Sequence, residues 1–143
     1  MTATISDDRA LLDFDRIHRW LTTSYWSPGI DRATVERAAA NSRCVGAYAP
    51  GGQVGFARLI TDGATFGWLA DVVVDEDARG QGIGRSMVRH LIEAPDLAGI
   101  RRIMLNTLDA HGVYAALGFA APIRPDFLME RLGPGAAERL RAL

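Results

Sequence analysis

Residues 69–92 read LADVVVDEDARGQGIGRSMVRHLI, and the chain changes character twice along them. Val72, Val73 and Val74 form a β-branched run suited to a buried strand. Arg79-Gly80-Gln81-Gly82-Ile83-Gly84 is a glycine-rich turn. Ile83, Met87, Val88, Leu91 and Ile92 then recur at helical spacing, which predicts a helix with one apolar face. Pro95 stops that helix, and Ala94 before it is pushed out of helical geometry.

Strand, glycine turn and helix together make a device for holding an anion. The first amides of a helix lack internal partners, and the aligned peptide dipoles put partial positive charge there. Glycines let a phosphate approach the backbone without meeting a Cβ. Arg79 and Arg85 add charge on either side. The local chemistry therefore points to a pyrophosphate. A nucleotide-triphosphate loop would need Gly-Lys-Ser/Thr, which is absent, and the dinucleotide fingerprint fails at Met87, where its third glycine would stand. An ordinary strand-to-helix connection is the plain alternative.

What remains is Arg79-x-x-Gly82-x-Gly84 between a valine strand and an amphipathic helix. This resembles the acyl-coenzyme A loop (R/Q-x-x-G-x-G/A) of the GCN5-related N-acetyltransferase (GNAT) superfamily. A second stretch, Asp109-Ala110-His111-Gly112-Val113-Tyr114-Ala115-Ala116-Leu117-Gly118-Phe119, is similar to the family's A-x-x-x-Y-x-x-x-G-F segment. The Asp-Ala-His-Gly-x-Tyr run and Ser24-Tyr25-Trp26 resemble an uncharacterised bacterial branch, which names no substrate. One departure stands out: many members carry an asparagine where this chain has Thr107, so Asn106 or Thr107 would have to supply that contact to coenzyme A.

Composition narrows the field. At 143 residues the chain is read as a single domain, 1–143, with 133–143 a frayed tail. Its 48% apolar and 23% charged content suit a globular protein. A net charge of −1 argues against nucleic acid as a partner. The single cysteine, Cys44, sits in an apparent strand and reads as a buried structural thiol, with no multi-cysteine metal site. The N-terminus does not read as a secretion signal and no run suits a membrane span, so a cytoplasmic location away from membranes is expected.

Taken in order, Thr2–Ser6 predicts a short edge strand, and a helix is expected from Leu11 to about Thr22. The loop from Ser24 to Gly29 holds two adjacent aromatics, and Asp31 caps a second helix, Arg32–Asn41. Arg43–Ala49, Gln53–Thr61 and Thr65–Val74 are expected as three successive antiparallel strands. After the glycine turn and its helix, Ile100–Thr107 is expected to lie parallel to Thr65–Val74, because a strand–helix–strand crossover makes it so. Asp109 caps a helix over Ala110–Leu117, and Phe119–Ala121 with Phe127–Leu132 form a last strand pair. The resemblance implies an α/β (α+β) GNAT fold, with a mixed sheet of about six to seven strands splayed around the acyl-coenzyme A site.

It also implies acetyl transfer from acetyl-coenzyme A to a primary amine of a small molecule or peptide, by direct attack in a ternary complex and without a metal. Deprotonating a lysine-like amine at pH 7 costs about 4.6 kcal/mol, so a base or water chain must help. Tyr114 matches the family tyrosine beside the sulfur and is the expected acid; packing its ring on the sheet is the bland alternative. Asp71, a charge in an apolar strand, and His111 are the candidate bases; Asp71 bonded to nearby backbone amides is equally open. The amides of Gln81, Gly82, Ile83, Gly84, Arg85 and Ser86 would hold the pyrophosphate. Arg79 would fix the loop, and the backbone of Val72, Val73 and Val74 would meet the pantetheine amides. Tyr25, Trp26 and Trp68 are the expected acceptor wall. A homodimer is common in the family. A non-catalytic acyl-coenzyme A sensor is the alternative activity, and a purely structural domain would leave the loop unexplained.

Overall fold

The computed structural model describes residues 3–143; Met1 and Thr2, the latter in the expected edge strand, lie outside the described residues. Five strands form one sheet in the order β1 (Thr4–Ser6), β2 (Arg43–Ala49), β3 (Gly52–Thr61), β4 (Phe66–Val74) and β5 (Arg102–Met104). The first three pairings are antiparallel and β4–β5 is parallel, as a crossover through the glycine turn requires.

Alternation along the strands sends side chains to two separate cores. Val45, Ala47, Ala57, Leu59 and Leu69 pack with Ile83, Met87, Val88 and Leu91 of α3 (Ile83–Ile92). Cys44 and Phe56 face the other way. They meet Ile17 and Leu21 of α1 (Phe14–Thr22) and Val35 and Ala39 of α2 (Arg32–Ala40). Burial raises the Cys44 thiol above its usual range, as suits a structural cysteine. Asp13 and Asp31 accept hydrogen bonds from Arg16 N and Thr34 N and start the two helices. The chain ahead of Asp13 forms only a 3₁₀ turn, Arg9–Leu11, so α1 begins later than its apolar spacing suggests.

The sheet has five strands rather than six to seven. Phe119–Ala121 and Phe127–Leu132 are not strands: Pro122 and Pro125 lie between them, and Pro125–Phe127 turns into a 3₁₀ segment that includes the first residue of the second. That segment leaves Ile123 and Met129 almost wholly exposed, at 96% and 97%. The expected strand Ile100–Thr107 is shortened to Arg102–Met104, paired with Phe66, Gly67 and Trp68.

The shortening has a visible origin. Phe56 pairs with Val73 but Arg58 pairs with Ala70, so two residues of β4, Asp71 and Val72, oppose the single Ala57. This is a β-bulge, which bends its strand. Asp71 takes φ +54°, the one non-glycine left-handed residue among the described residues. Beyond Met104 the parallel strands separate, and a cleft opens between them.

Candidate active site

The cleft encloses about 910 Å³. One wall is β4 from Trp68 to Val72, and the other is the chain leaving β5, Leu105 to Ala110. Tyr25 and Trp26 lean over it from the α1–α2 loop, and Tyr114 of α4 (His111–Ala115) reaches in beside them. Arg139 and Leu140 of the last helix, α5 (Ala136–Arg141), complete the lining.

At the far end of β4 the glycine turn is an open cradle. Gly80 and Gly82 stand at φ +80° and +77°, where an L side chain is strained, and nothing lies within 4 Å of where their Cβ atoms would be. Gly82 is the N-cap of α3 and supplies no side-chain cap. The first internal helical bond is from Ser86 N to Gly82 O, at 3.0 Å. Ser86 is therefore spent within the helix, and the amides of Ile83, Gly84 and Arg85 are the helix's bare donors. A Cβ on Gly84 would come 3.6 Å from Val74, so the cradle adjoins the strand end directly. Arg79 is exposed and donates from Nε to Val74 O at 3.2 Å, which ties the turn to β4. Gln81 and Arg85 are exposed, whereas the Ile83 side chain is core.

Asp71 sits on the cleft wall with both carboxylate oxygens engaged. Arg58 Nε donates to Oδ2 at 2.6 Å and Trp26 Nε1 donates to Oδ1 at 2.9 Å. The two charged side chains are 16% and 10% exposed. The bulge explains the geometry. Leu69, Val72 and Val74 all pack toward α3, so the extra residue turns Asp71 away from that core and onto the face where Arg58 waits.

Tyr114 is half-buried, its ring edge-on to Phe119 with centroids 6.0 Å apart. Burial, and after it the neighbouring Tyr25, raises its hydroxyl above the usual phenol range, so it is a protonated donor at neutral pH. His111 opens α4 on the surface and does not line the cleft. Thr107 Oγ1 accepts from Ala110 N at 3.0 Å, so Thr107 rather than Asp109 fastens the start of α4. Asn106 lines the cleft with its side chain exposed. Trp68 also faces the cleft, whereas Phe66, two residues earlier, is exposed and does not line it.

A family model described as the acetyltransferase (GNAT) family matches residues 9–119. The chain belongs to the GNAT family of acetyltransferases. It is an acyltransferase enzyme. A Gibberella zeae protein assigned as an acetyltransferase is 34% identical, over 73% of this chain and 71% of its own. The crystal structure of a protein from Xanthomonas campestris pv. campestris, assigned to the GNAT family, is 44% identical. It covers 95% of this chain and 96% of its own, with a TM-score of 0.90. A rice protein (Oryza sativa subsp. japonica) named as a probable glucosamine 6-phosphate N-acetyltransferase is 38% identical over 43% of this chain and 38% of its own.

Several cleft residues of this GNAT chain escape sequence reading. Arg58 had a usable signal: it is a charge among the buried Phe56, Ala57 and Leu59, the same kind of interruption that singles out Asp71. Leu108, Glu130, Arg139 and Leu140 carry no local mark of their role. Among the described residues no helix is long and apolar enough to cross a membrane.

Proposed function

We propose that this chain moves the acetyl group of acetyl-coenzyme A onto a primary amine of a small molecule or peptide, within a ternary complex. The observation that carries the reading is the cradle: two left-handed glycines leave the first amides of α3 bare and facing open space, beside the end of the strand whose middle lines the cleft. A pyrophosphate suits those donors. The edge of β4 beyond Trp68, with no strand beside it, suits the amides of a pantetheine arm.

The cofactor supplies the acyl group as a thioester. The amine nitrogen attacks the thioester carbonyl, a C–N bond forms and the C–S bond breaks. The hydroxyl of Tyr114, which burial keeps protonated, gives its proton to the departing thiolate, and the proton that the nitrogen sheds as the amide forms restores the phenol. The attacking ammonium must first lose a proton. Of the two candidate bases, Asp71 has both oxygens occupied and His111 is exposed at the start of α4. A pH–rate profile of Asp71→Asn and His111→Ala separates them: the variant that keeps the acidic limb did not lose the base.

The acceptor wall would be Trp26, Tyr25 and Trp68, with Arg139 and Glu130 at its margin. The exposed Ile123 and Met129 support a homodimer, which sedimentation measures directly. The reading is tested by titrating coenzyme A and acetyl-coenzyme A into the protein by calorimetry. Release of free thiol is then followed with a panel of amines, beginning with glucosamine 6-phosphate, the acceptor in the rice relative's name. Binding with amine-dependent thiol release is expected; no binding of either form of the cofactor overturns it.

A further inference from the structure

Tyr25 and Trp26 are neighbours in sequence, yet they are fastened to opposite lips of the cleft. The Trp26 indole donates to Asp71 on β4 at 2.9 Å. The Tyr25 hydroxyl accepts from the Leu108 amide, just beyond β5, at 3.0 Å. Their rings meet edge to face with centroids 5.0 Å apart, so the pair bridges the gap where the two parallel strands part. The loop behind them is closed by its own bonds. Ser27 N donates to Ser24 Oγ, Ser24 Oγ to Leu21 O, and Gly29 N to Thr22 O.

The β4 fastening is itself built. Asp71 holds a left-handed backbone that is strained for most residues and that aspartate tolerates better than most. Arg58 grips the carboxylate and is in turn held by Ser42 Oγ, which accepts from its NH1 at 3.0 Å. Ser42 is buried at the end of α2 and donates to Ala38 O at 2.7 Å. A general base needs a lone pair turned to the substrate; here one oxygen receives a guanidinium and the other an indole.

We infer that Tyr25 and Trp26 form a strap across the acceptor side of the cleft, and that Asp71, gripped by Arg58, is its anchor. This rests on the acetyl-transfer reading of the same cleft. Arg58 and Asp71 are then positioning residues: they set where the Trp26 ring stands, and the ring bounds the space open to the amine. Trp26 is 43% exposed, so the fastened residue still has surface open to a ligand.

Hydrogen exchange on the full-length protein tests the strap without needing the acceptor. Trp26→Phe and Tyr25→Phe each delete one fastening and keep a ring. Each is expected to speed exchange of amides in loop 24–29 at least about fivefold, and Tyr25→Phe to do the same at Leu108, with β3 unmoved. Unchanged exchange in both variants overturns the strap. With the best amine from the panel, Trp26→Phe is expected to raise the amine KM about fivefold, while kcat and the acetyl-coenzyme A KM stay within about twofold. A loosened loop with an unmoved amine KM overturns the positioning role. Asp71→Asn is expected to keep the acidic limb of the pH–rate profile and to raise the same KM; loss of the limb makes Asp71 the base. If Asp71→Asn does not fold, the two ring variants still decide. Coenzyme A calorimetry separates the failures: no binding by the unmodified protein defeats the acetyl-transfer reading, whereas normal binding with an unmoved loop defeats only the strap.

Discussion

On the proposed reading, the donor side of the site comes from one run of chain. Val72, the Arg79–Gly84 turn and α3 follow each other within residues 69–92. The acceptor half is gathered from separate places: Tyr25 and Trp26 before α2, Arg58 on β3, Asp71 on β4, Leu108 after β5, and Arg139 on α5. The donor half would work through backbone amides, whose directions follow from the φ angles of two glycines. The acceptor half would work through side chains, whose partners follow from strand register. The first half should therefore be sensitive to a side chain placed in the turn and little affected by loss of a neighbouring one; the second should be sensitive to loss of a side chain.

The largest expected effect strikes the donor half. Gly82→Glu puts a side chain at φ +77° and an anion where the pyrophosphate would sit, and should weaken coenzyme A binding at least about a thousandfold. Calorimetry reads the loss and far-ultraviolet dichroism checks that the fold is kept; undiminished binding breaks the donor assignment. Next comes the ion pair of the acceptor half. Arg58→Met leaves the Asp71 carboxylate unpaired at 10% exposure, and should cost roughly 3 kcal/mol in urea unfolding. Adding Asp71→Asn should restore part of that loss, since no unpaired charge then remains; no recovery would mean that the two side chains are not energetically coupled.

Tyr114 lies where the halves meet. Tyr114→Phe should lower kcat more than about tenfold with coenzyme A affinity nearly unchanged. Burial holds this hydroxyl above its ordinary pKa, so its share of stability is full below about pH 10 and is lost as pH rises through the raised value. The basic limb of the rate profile should accordingly lie above about pH 10 and vanish in Tyr114→Phe; a limb at neutral pH would assign the acid elsewhere. The smallest effect is that of Arg79→Ala. Its single 3.2 Å bond to Val74 O is exposed, and its loss should weaken coenzyme A binding by only about threefold. A much larger loss would mean that the donor half depends on this side chain as well as on its amides.

The same division governs what could be read beforehand. The antiparallel run of β2, β3 and β4 and the parallel β5 were legible because periodicity and turn residues are local signals. Tyr114 was legible through its motif, and the structure adds that it lines the cleft. The expected strands after Phe119 failed although their apolar residues suit a strand: β5 is too short to offer them a ladder, and the 3₁₀ segment Pro125–Phe127 takes the start of the second out of extended geometry. Asp71 stood out as a charge in an apolar strand, but its partner did not, because Arg58 lies thirteen residues away and meets it only across a bulge.

Sequence alone determined the local form of the cradle: glycines free to be left-handed, followed by a helix whose first amides have no internal acceptor, leave bare donors at that turn. Tertiary structure alone decided which way Asp71 points, which rings bridge the cleft and that α5 closes its margin. One extra residue in β4 reverses the side-chain alternation beyond it, and no local rule locates that residue. It emerges only when whole strands settle on the register that buries Leu69, Val72 and Val74 together against α3.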